Sequence, residues 1–386
     1  MSRTTTLQHI LQRWHTTSPN PHVNKVMLQL KTCRTASQGY HVYQCSNEAC
    51  GRYHYRYHSC RNRHCPQCGG FQKQEWIEQR TAELLPTPYF HVVFTLPHEL
   101  NALILGNRQP LFKLLFDASA ATLLQFARDD NYLGATPGIL SVLHTWGQQL
   151  SFHPHVHCIV SSGGITASRS APQWKTHKRR NGRFLFPVKA ISKVFRAKFL
   201  QGLKKCKEQG LVVAQSETGY EEMLRKLWLH DWVVYAKKPF GGPQQVIRYL
   251  GRYTHKTALT NQRIRHVDEA AQTVSFDYRD YRQEAKQKTM RMRVEEFIRR
   301  FEQHILPKGF TRIRSYGYLS NRGRTQRLQQ LTTALKIPPH PARVSIPWQL
   351  RLWIEGALTE QKCVHCGRFS LQLVRVRFGC DPFNDS

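Results

Sequence analysis

Apolar residues fall along this chain in two rhythms, and together they predict a mixed set of elements. Short continuous runs of four to eight, such as Tyr89–Leu96 (YFHVVFTL), read as buried strands. Two more strands are expected at Ile139–Trp146 and His155–Ser161, joined by the turn-rich Gly147–Pro154. Another is expected at Trp232–Tyr235, a hairpin at Arg263–Tyr278 turning at Asp268–Ala271, and a last strand at Phe310–Tyr316. Helical spacing marks Thr6–Trp14, Gln72–Leu85, Gln244–Lys256 and Val294–His304. Gln109–Arg128 is nearly continuously apolar with no breaker after Pro110, as in a core helix. Strands and helices interspersed in this irregular way favour an α+β fold over a doubly wound sheet. Pro86 and Pro88 punctuate the chain after a Cys/His-rich segment, and Pro338, Pro339, Pro341 and Pro347 set off a tail. The expected domains are therefore 1–85, 86–330 and 331–386.

Charge narrows the field of partners. The 386 residues carry 57 Lys and Arg against 25 Asp and Glu, a net charge of +32. Such an excess repels itself unless a polyanion neutralises it, so nucleic acid is the expected partner. The charge is concentrated in a basic arm over 161–210, with 13 Lys and Arg and one Glu, including Lys175, Lys178, Arg179 and Arg180. A solvated loop would have the same composition, and that alternative stays open. No run of about 18 apolar residues occurs, and the N-terminus lacks the apolar core of a signal peptide. A cytoplasmic, nucleoid-associated protein with no membrane partner is expected.

Eleven cysteines, six of them between Cys33 and Cys68, point to metal ligation rather than disulfides in such a setting. Cys45-x4-Cys50 and Cys65-x2-Cys68 are paired-ligand units, each followed by glycine, and together they predict one structural Zn2+ site. Cys33, His41, Cys60 and His64 would make a second site, or else are ordinary buried Cys and partnered His. Cys363-x2-Cys366 is a further knuckle that looks like half a site.

Two strings outside the cysteines carry chemistry. In His153-Pro-His155-Val-His157, residues 155 and 157 share one face of a strand and can grip one divalent cation. Tyr249 and Tyr253 are four apart, so a helix would present both phenols together, with Arg248, Arg252 and Lys256 placing positive field around them. Between Asn131 and Lys207 there is no Asp or Glu, which rules out a carboxylate ligand from that stretch. Gln148, Gln149, His153 and His255 remain as candidates for a third ligand.

FTLP at Phe94–Pro97, HPHVHCIV at His153–Val160 and YLGRYTHK at Tyr249–Lys256 resemble the three ordered motifs of HUH rolling-circle nucleases. With SCRNRHCPQC at Ser59–Cys68 and HTWGQQLSFHPHVH at His144–His157, the chain over 25–325 resembles the two-tyrosine transposases of the bacterial IS91 family. The resemblance implies an HUH endonuclease-like antiparallel sheet with helices, preceded by a small zinc-binding domain that recognises element ends. It implies Tyr249 and Tyr253 as nucleophiles on single-stranded DNA, Lys256 beside the leaving phosphate, and Mg2+ or Mn2+ on His155 and His157. The basic arm, Arg248 and Arg252 would hold the strand, with bases stacked on aromatics such as Trp174 and Phe184.

Rivals are separable by residue. A relaxase or replication initiator shares the chemistry and differs by the zinc segment. No GxxxxGK[ST] loop occurs, so strand separation is expected from a host helicase or the replication machinery. Asp117, Asp231, Asp277 and Asp280 offer a carboxylate-type transposase no recognisable context, and Cys158 stands where an HxHxDH hydrolase wants Asp. A non-catalytic zinc-dependent DNA-binding regulator would explain charge and cysteines but leave the histidine strand and tyrosine pair as coincidence.

Overall fold

The computed structural model describes residues 6–68, 76, 80, 83–166, 173–176, 186–237, 245, 258–281, 283–337, 362–368 and 370–378. The chain divides into two compact units, residues 1–69 with 341–386, and residues 70–340. The expected separate C-terminal domain is thus corrected, because the last strand pairs with the first.

In the smaller unit, α1 (Leu7–Trp14) starts where the Thr6 hydroxyl accepts the His9 amide and buries Leu7, Ile10 and Leu11. The sequence reading missed α2 (Pro21–Thr32). Asn20 caps it by accepting from the amides of His22 and Val23, Pro21 opens its first turn, and Val23, Val26, Met27 and Leu30 face inward. Beside the helices lies an antiparallel sheet in which β1 (Gly39–Cys45) is flanked by β2 (Tyr53–Tyr57) and β12 (Leu371–Phe378). β1 and β2 are built mainly of Tyr, His, Gln and Arg around a single Val, which hid them from a hydrophobicity reading.

The larger unit is built on an antiparallel sheet ordered β11-β4-β5-β3-β7. Its strands are β3 (Tyr89–Thr95), β4 (Thr136–Trp146), β5 (Phe152–Ile165), β7 (Val234–Lys237) and β11 (Ile313–Gly317), and the short β6 (Trp174–Thr176) pairs with the end of β5. Alternation gives the sheet two faces. Val92, Phe94, Val156, Cys158 and Val160 point into the main core, against α4 (Arg108–Arg128), which follows the short α3 (Asn101–Gly106), and α5 (Val188–Glu208). There Phe94 meets Phe195 at 4.8 Å between ring centroids, and Phe112 meets Phe310 at 5.7 Å.

The described parts of the basic arm are folded. Its second half folds as α5, which buries Ile191, Phe195, Phe199 and Leu203 in the core and exposes Lys189, Lys193, Lys204 and Lys205. The apolar stripe at every fourth position was present in the sequence, but charge density masked it. α6 (Glu217–Leu229), capped by Ser216, follows.

The expected hairpin forms as β8 (Ile264–Asp268) and β9 (Thr273–Asp280), with the Asp268 carboxylate accepting the Ala271 amide in the turn. A third strand, β10 (Lys286–Arg293), extends it. α7 (Val294–Glu302) packs Phe297 on Phe276, and α8 (Arg324–Ala334) closes the unit. The helices expected at Gln72–Leu85 and Gln244–Lys256 fall mostly outside the described residues, of which Trp76, Arg80 and Gln245 are helical and 83–85 are not.

Candidate active site and metal centres

The sheet face opposite the main core carries histidines. In the β4–β5 register His144 stands directly across from His155, and Val142 across from His157. Residues 155 and 157 share that face by the two-residue period of a strand, so three imidazoles converge. Each of His144, His155 and His157 offers a ring nitrogen within 4.8 Å of the other two. They lie in a cleft of about 820 Å³ whose wall also includes Gln148, Gln149, His153, Tyr235, Asp280 and Tyr281.

Burial and hydrogen bonds hold His155 neutral and orient the rings. Burial pushes His155 down to about 4, and its Nδ1–H donates to the His153 carbonyl at 2.7 Å, leaving the Nε2 lone pair available. His157 Nδ1 lies 2.8 Å from His91 Nε2 on β3, a buried hydrogen bond that fixes the ring. His144 stacks on Trp146 with centroids 4.7 Å apart. Three imidazoles with ring nitrogens within 4.8 Å of one another make a donor set that fits a divalent transition metal, Mn2+ better than the oxygen-seeking Mg2+.

The imidazole that the structure brings beside His155 and His157 is His144, a residue not among the expected third-ligand candidates. Gln148 is a wall residue whose backbone carbonyl accepts from Arg263, and the Gln149 carbonyl accepts from Arg300 at 3.1 Å. His153 has its carbonyl engaged by His155 and its ring outside the trio. His144 was not legible by counting: Trp146 pairs with Phe152, so a regular hairpin would set Leu143 opposite His155, and an irregularity between Trp146 and His144 shifts the pairing by one. His255 lies outside the described residues, as do Arg248, Tyr249, Arg252, Tyr253, Lys256, Lys178, Arg179, Arg180 and Phe184.

Other expected residues are settled by their contacts. Lys175 pairs with Asp130 at 2.9 Å, and Trp174 packs edge-on to Tyr318 with centroids 5.9 Å apart. Cys158 points into the core beside Ser141, and burial raises its thiol to about 12. The carboxylates do not converge. Asp277 accepts from Arg265, Gln287 and Thr289, while Asp117 meets Lys113 and Arg314.

In the smaller unit the cysteines sort differently from their order in sequence. Cys33, Cys60, Cys65 and Cys68 form one cluster, and Cys45, Cys50, Cys363 and Cys366 another. The expected site of Cys45, Cys50, Cys65 and Cys68 is therefore corrected. Its two pairs belong to different clusters, because Cys33 at the end of α2 and the returning C-terminal knuckle supply the missing thiols. Neither histidine of the expected second site is in a cluster. His41 shares a 3.0 Å hydrogen bond with His58, and the His64 amide is bound by Asn62.

Comparison with known proteins matches residues 138–327 to a family described as "Putative transposase" and residues 5–96 to one described as "Transposase zinc-binding domain" of the IS91 type. The chain is 42% identical over 343 residues to "Putative transposase y4qJ" of Sinorhizobium fredii (strain NBRC 101917 / NGR234), covering 87% of this chain and 84% of that protein. The chain belongs to the IS91 family of transposases. A second member, the transposase for insertion sequence element IS801 of Pseudomonas savastanoi pv. phaseolicola, is 29% identical over 81% of this chain and 74% of its own length. Among solved structures, a metal-bound conjugative relaxase TrwC in complex with oriT DNA aligns over 44% of this chain and 71% of its own, with 13% identity and a TM-score of 0.23. The transposase match spans the histidine strand and the tyrosine pair, and the zinc-binding match spans Cys33 to Cys68. Among the described residues, no helix of this transposase is long and apolar enough to cross a membrane.

Proposed function

We propose that this transposase nicks and rejoins single-stranded DNA at insertion-sequence ends through a covalent 5′-phosphotyrosine, driving rolling-circle-type transposition. The carrying observation is the trio His144, His155 and His157 in one cleft. A divalent cation held there supplies Lewis-acid polarisation of the scissile phosphate. The phenolic oxygen of Tyr249 or Tyr253 attacks phosphorus as its proton departs to solvent. The bond from phosphorus to the 3′-oxygen breaks, and that oxygen takes up a proton to leave a 3′-hydroxyl. Phosphodiester bond energy is kept in the phosphotyrosine, so a 3′-hydroxyl from another strand reverses the step and joins the ends without ATP. Two tyrosines let one hold the donor while the other opens the second strand, and Lys256 offsets phosphate charge.

Binding follows the same division into units. Tyr235 and Tyr281, 55% and 65% exposed, stand in the cleft wall where unstacked bases can lie. They replace the packed Trp174 as stacking surfaces. In the smaller unit, Cys33, Cys60, Cys65 and Cys68 hold one structural Zn2+. Sulfur distances of 3.5 to 3.7 Å match the roughly 3.8 Å between ligands on tetrahedral zinc. Recognition of the element ends is assigned to this unit. Exposed Tyr53, Tyr55 and Tyr57 share a sheet face with Tyr40, Arg375 and Arg377, an aromatic and cationic surface suited to DNA. Host helicase or replication machinery would supply the single strand.

The test is incubation with labelled single-stranded oligonucleotides carrying element ends plus Mn2+ or Mg2+, followed by denaturing electrophoresis and mass mapping. A metal-dependent adduct on Tyr249 or Tyr253 is expected, and the Y249F/Y253F double variant should bind but not cleave. Nicking that survives in the double variant removes the tyrosines as nucleophiles. Tight binding without any cleavage favours the regulator reading.

A further inference from the structure

We infer that the smaller unit holds a second structural zinc, on Cys45, Cys50, Cys363 and Cys366, which closes the unit across the two ends of the chain. The zinc-binding family match stops at residue 96 and so contains only half of this ligand set. The halves are far apart in sequence, with 321 positions separating Cys45 from Cys366 and 313 separating Cys50 from Cys363.

The geometry is that of a tetrathiolate. Cys45 and Cys366 sulfurs are 3.7 Å apart, Cys50 and Cys363 sulfurs 3.6 Å, and all four lie within 4.8 Å of one another. Disulfide sulfurs sit at about 2.05 Å, whereas ligands on tetrahedral zinc at about 2.3 Å are roughly 3.8 Å apart. Both halves are built alike. Cys50 is followed by Gly51 at φ +53°, with the Gly51 amide donating to the Asn47 carbonyl at 2.9 Å. Cys366 is followed by Gly367 at φ +71°, with the Gly367 amide donating to the Cys363 carbonyl at 2.8 Å. Nothing lies within 4 Å of where a Cβ would stand on either glycine, so backbone conformation rather than space calls for glycine at both. Such a turn wraps the chain around its thiolate pair.

Polar groups around the cluster suit four thiolates. The Ser370 hydroxyl lies 2.8 Å from Cys45 Sγ, and His54 Nε2 lies 3.2 Å from Cys363 Sγ. Both can donate to sulfur and so reduce the net negative charge of a zinc held by four cysteines. The site also explains why the exposed strand β12 stays on β1. Of its eight residues seven are exposed, so its apolar packing is slight, and the knuckle five residues upstream anchors it. The ligand set is complete only once residue 366 has been made.

The test is zinc stoichiometry on full-length protein by elemental analysis, with Co2+ substitution to read thiolate charge-transfer intensity per metal. Wild type should carry two thiolate-bound metal ions, each such Co2+ showing the intensity of four thiolates, whereas a metal on the imidazole trio gives no thiolate band. C363S/C366S should fall to one, C33S/C60S should also fall to one, and C206S, which alters a cysteine outside both clusters, should keep two. Hydrogen exchange should rise across Leu371–Phe378 and Gly39–Cys45 in C363S/C366S while residues 86–330 stay protected. One zinc in wild type, unchanged in C363S/C366S, overturns the inference. So does a wild-type mass lower by two hydrogens, mapped to a disulfide among these four cysteines. If C363S/C366S does not fold, the wild-type Co2+ count and intensity decide alone.

Discussion

The two units reach stability by different routes. The larger unit has an apolar core spanning both helices and the sheet, with Phe94, Phe112, Phe116, Phe195 and Phe199 essentially inaccessible. The smaller unit buries one side of two helices and little of its sheet, where Tyr53, Tyr55, Tyr57 and Phe378 are all exposed. A sheet with one short apolar face cannot offset the entropy of ordering its strands, and eight clustered thiols stand where a core would otherwise be. The same contrast governs chemistry. Sulfur clusters in the smaller unit, while in the larger one imidazoles line an open cleft where, on the proposed reading, a bound metal would keep room for a substrate.

The strongest way to break this comparison is to remove metal. A zinc chelator should unfold the smaller unit completely and leave the larger one intact. Limited proteolysis should then yield a protected fragment with ends near residues 70 and 340, and a fully protected chain would deny the metal its structural role. Next in size, Phe195→Ala should destabilise only the larger unit, by about 3–5 kcal/mol in denaturant unfolding, with zinc content unchanged. A loss of zinc in that variant would show the units to be one cooperative system.

Acid sharpens the comparison further. His304 is buried between Thr145 and the Leu150 carbonyl, and burial holds it down to about 4, whereas an unfolded histidine titrates near 6.5. Between those values the unfolded chain takes up a proton that the folded chain refuses. Stability of the larger unit should therefore be complete above about pH 6.5 and fall as the pH drops towards 4, by up to about 3 kcal/mol. H304Q should flatten that slope in pH-dependent unfolding curves; an unchanged slope would assign it to other groups. Smallest in effect, replacing Tyr55 with Ala should weaken binding to element-end oligonucleotides by about 1–3 kcal/mol. Fluorescence anisotropy would measure it, and unaltered affinity would remove this sheet face from DNA recognition.

Legibility divided along the same line. In the larger unit β3, β4, β5, the β8–β9 hairpin, α4, α7 and β11 lie within a few residues of expectation, because their apolar runs face a large core. α5 was hidden by its own exposed lysines, although Phe195, Phe199 and Leu203 kept the helical period. His155 and His157 were readable as a pair from strand alternation alone, while His144 needed the hairpin register. In the smaller unit the metal ligands were recognisable by type but not by partnership. Neighbouring pairs in sequence were grouped together, and the structure separates them.

By itself the sequence determined the α+β class, the polyanion partner, the zinc chemistry and the strand that aligns two imidazoles, since each follows from composition or from a period of a few residues. Only the tertiary structure decided that His144 completes the trio and that Cys33 and the knuckle at 363–366 complete the two sulfur clusters. Those assignments depend on which distant strands and turns are brought together, and pairing across a fold leaves no local period in the chain.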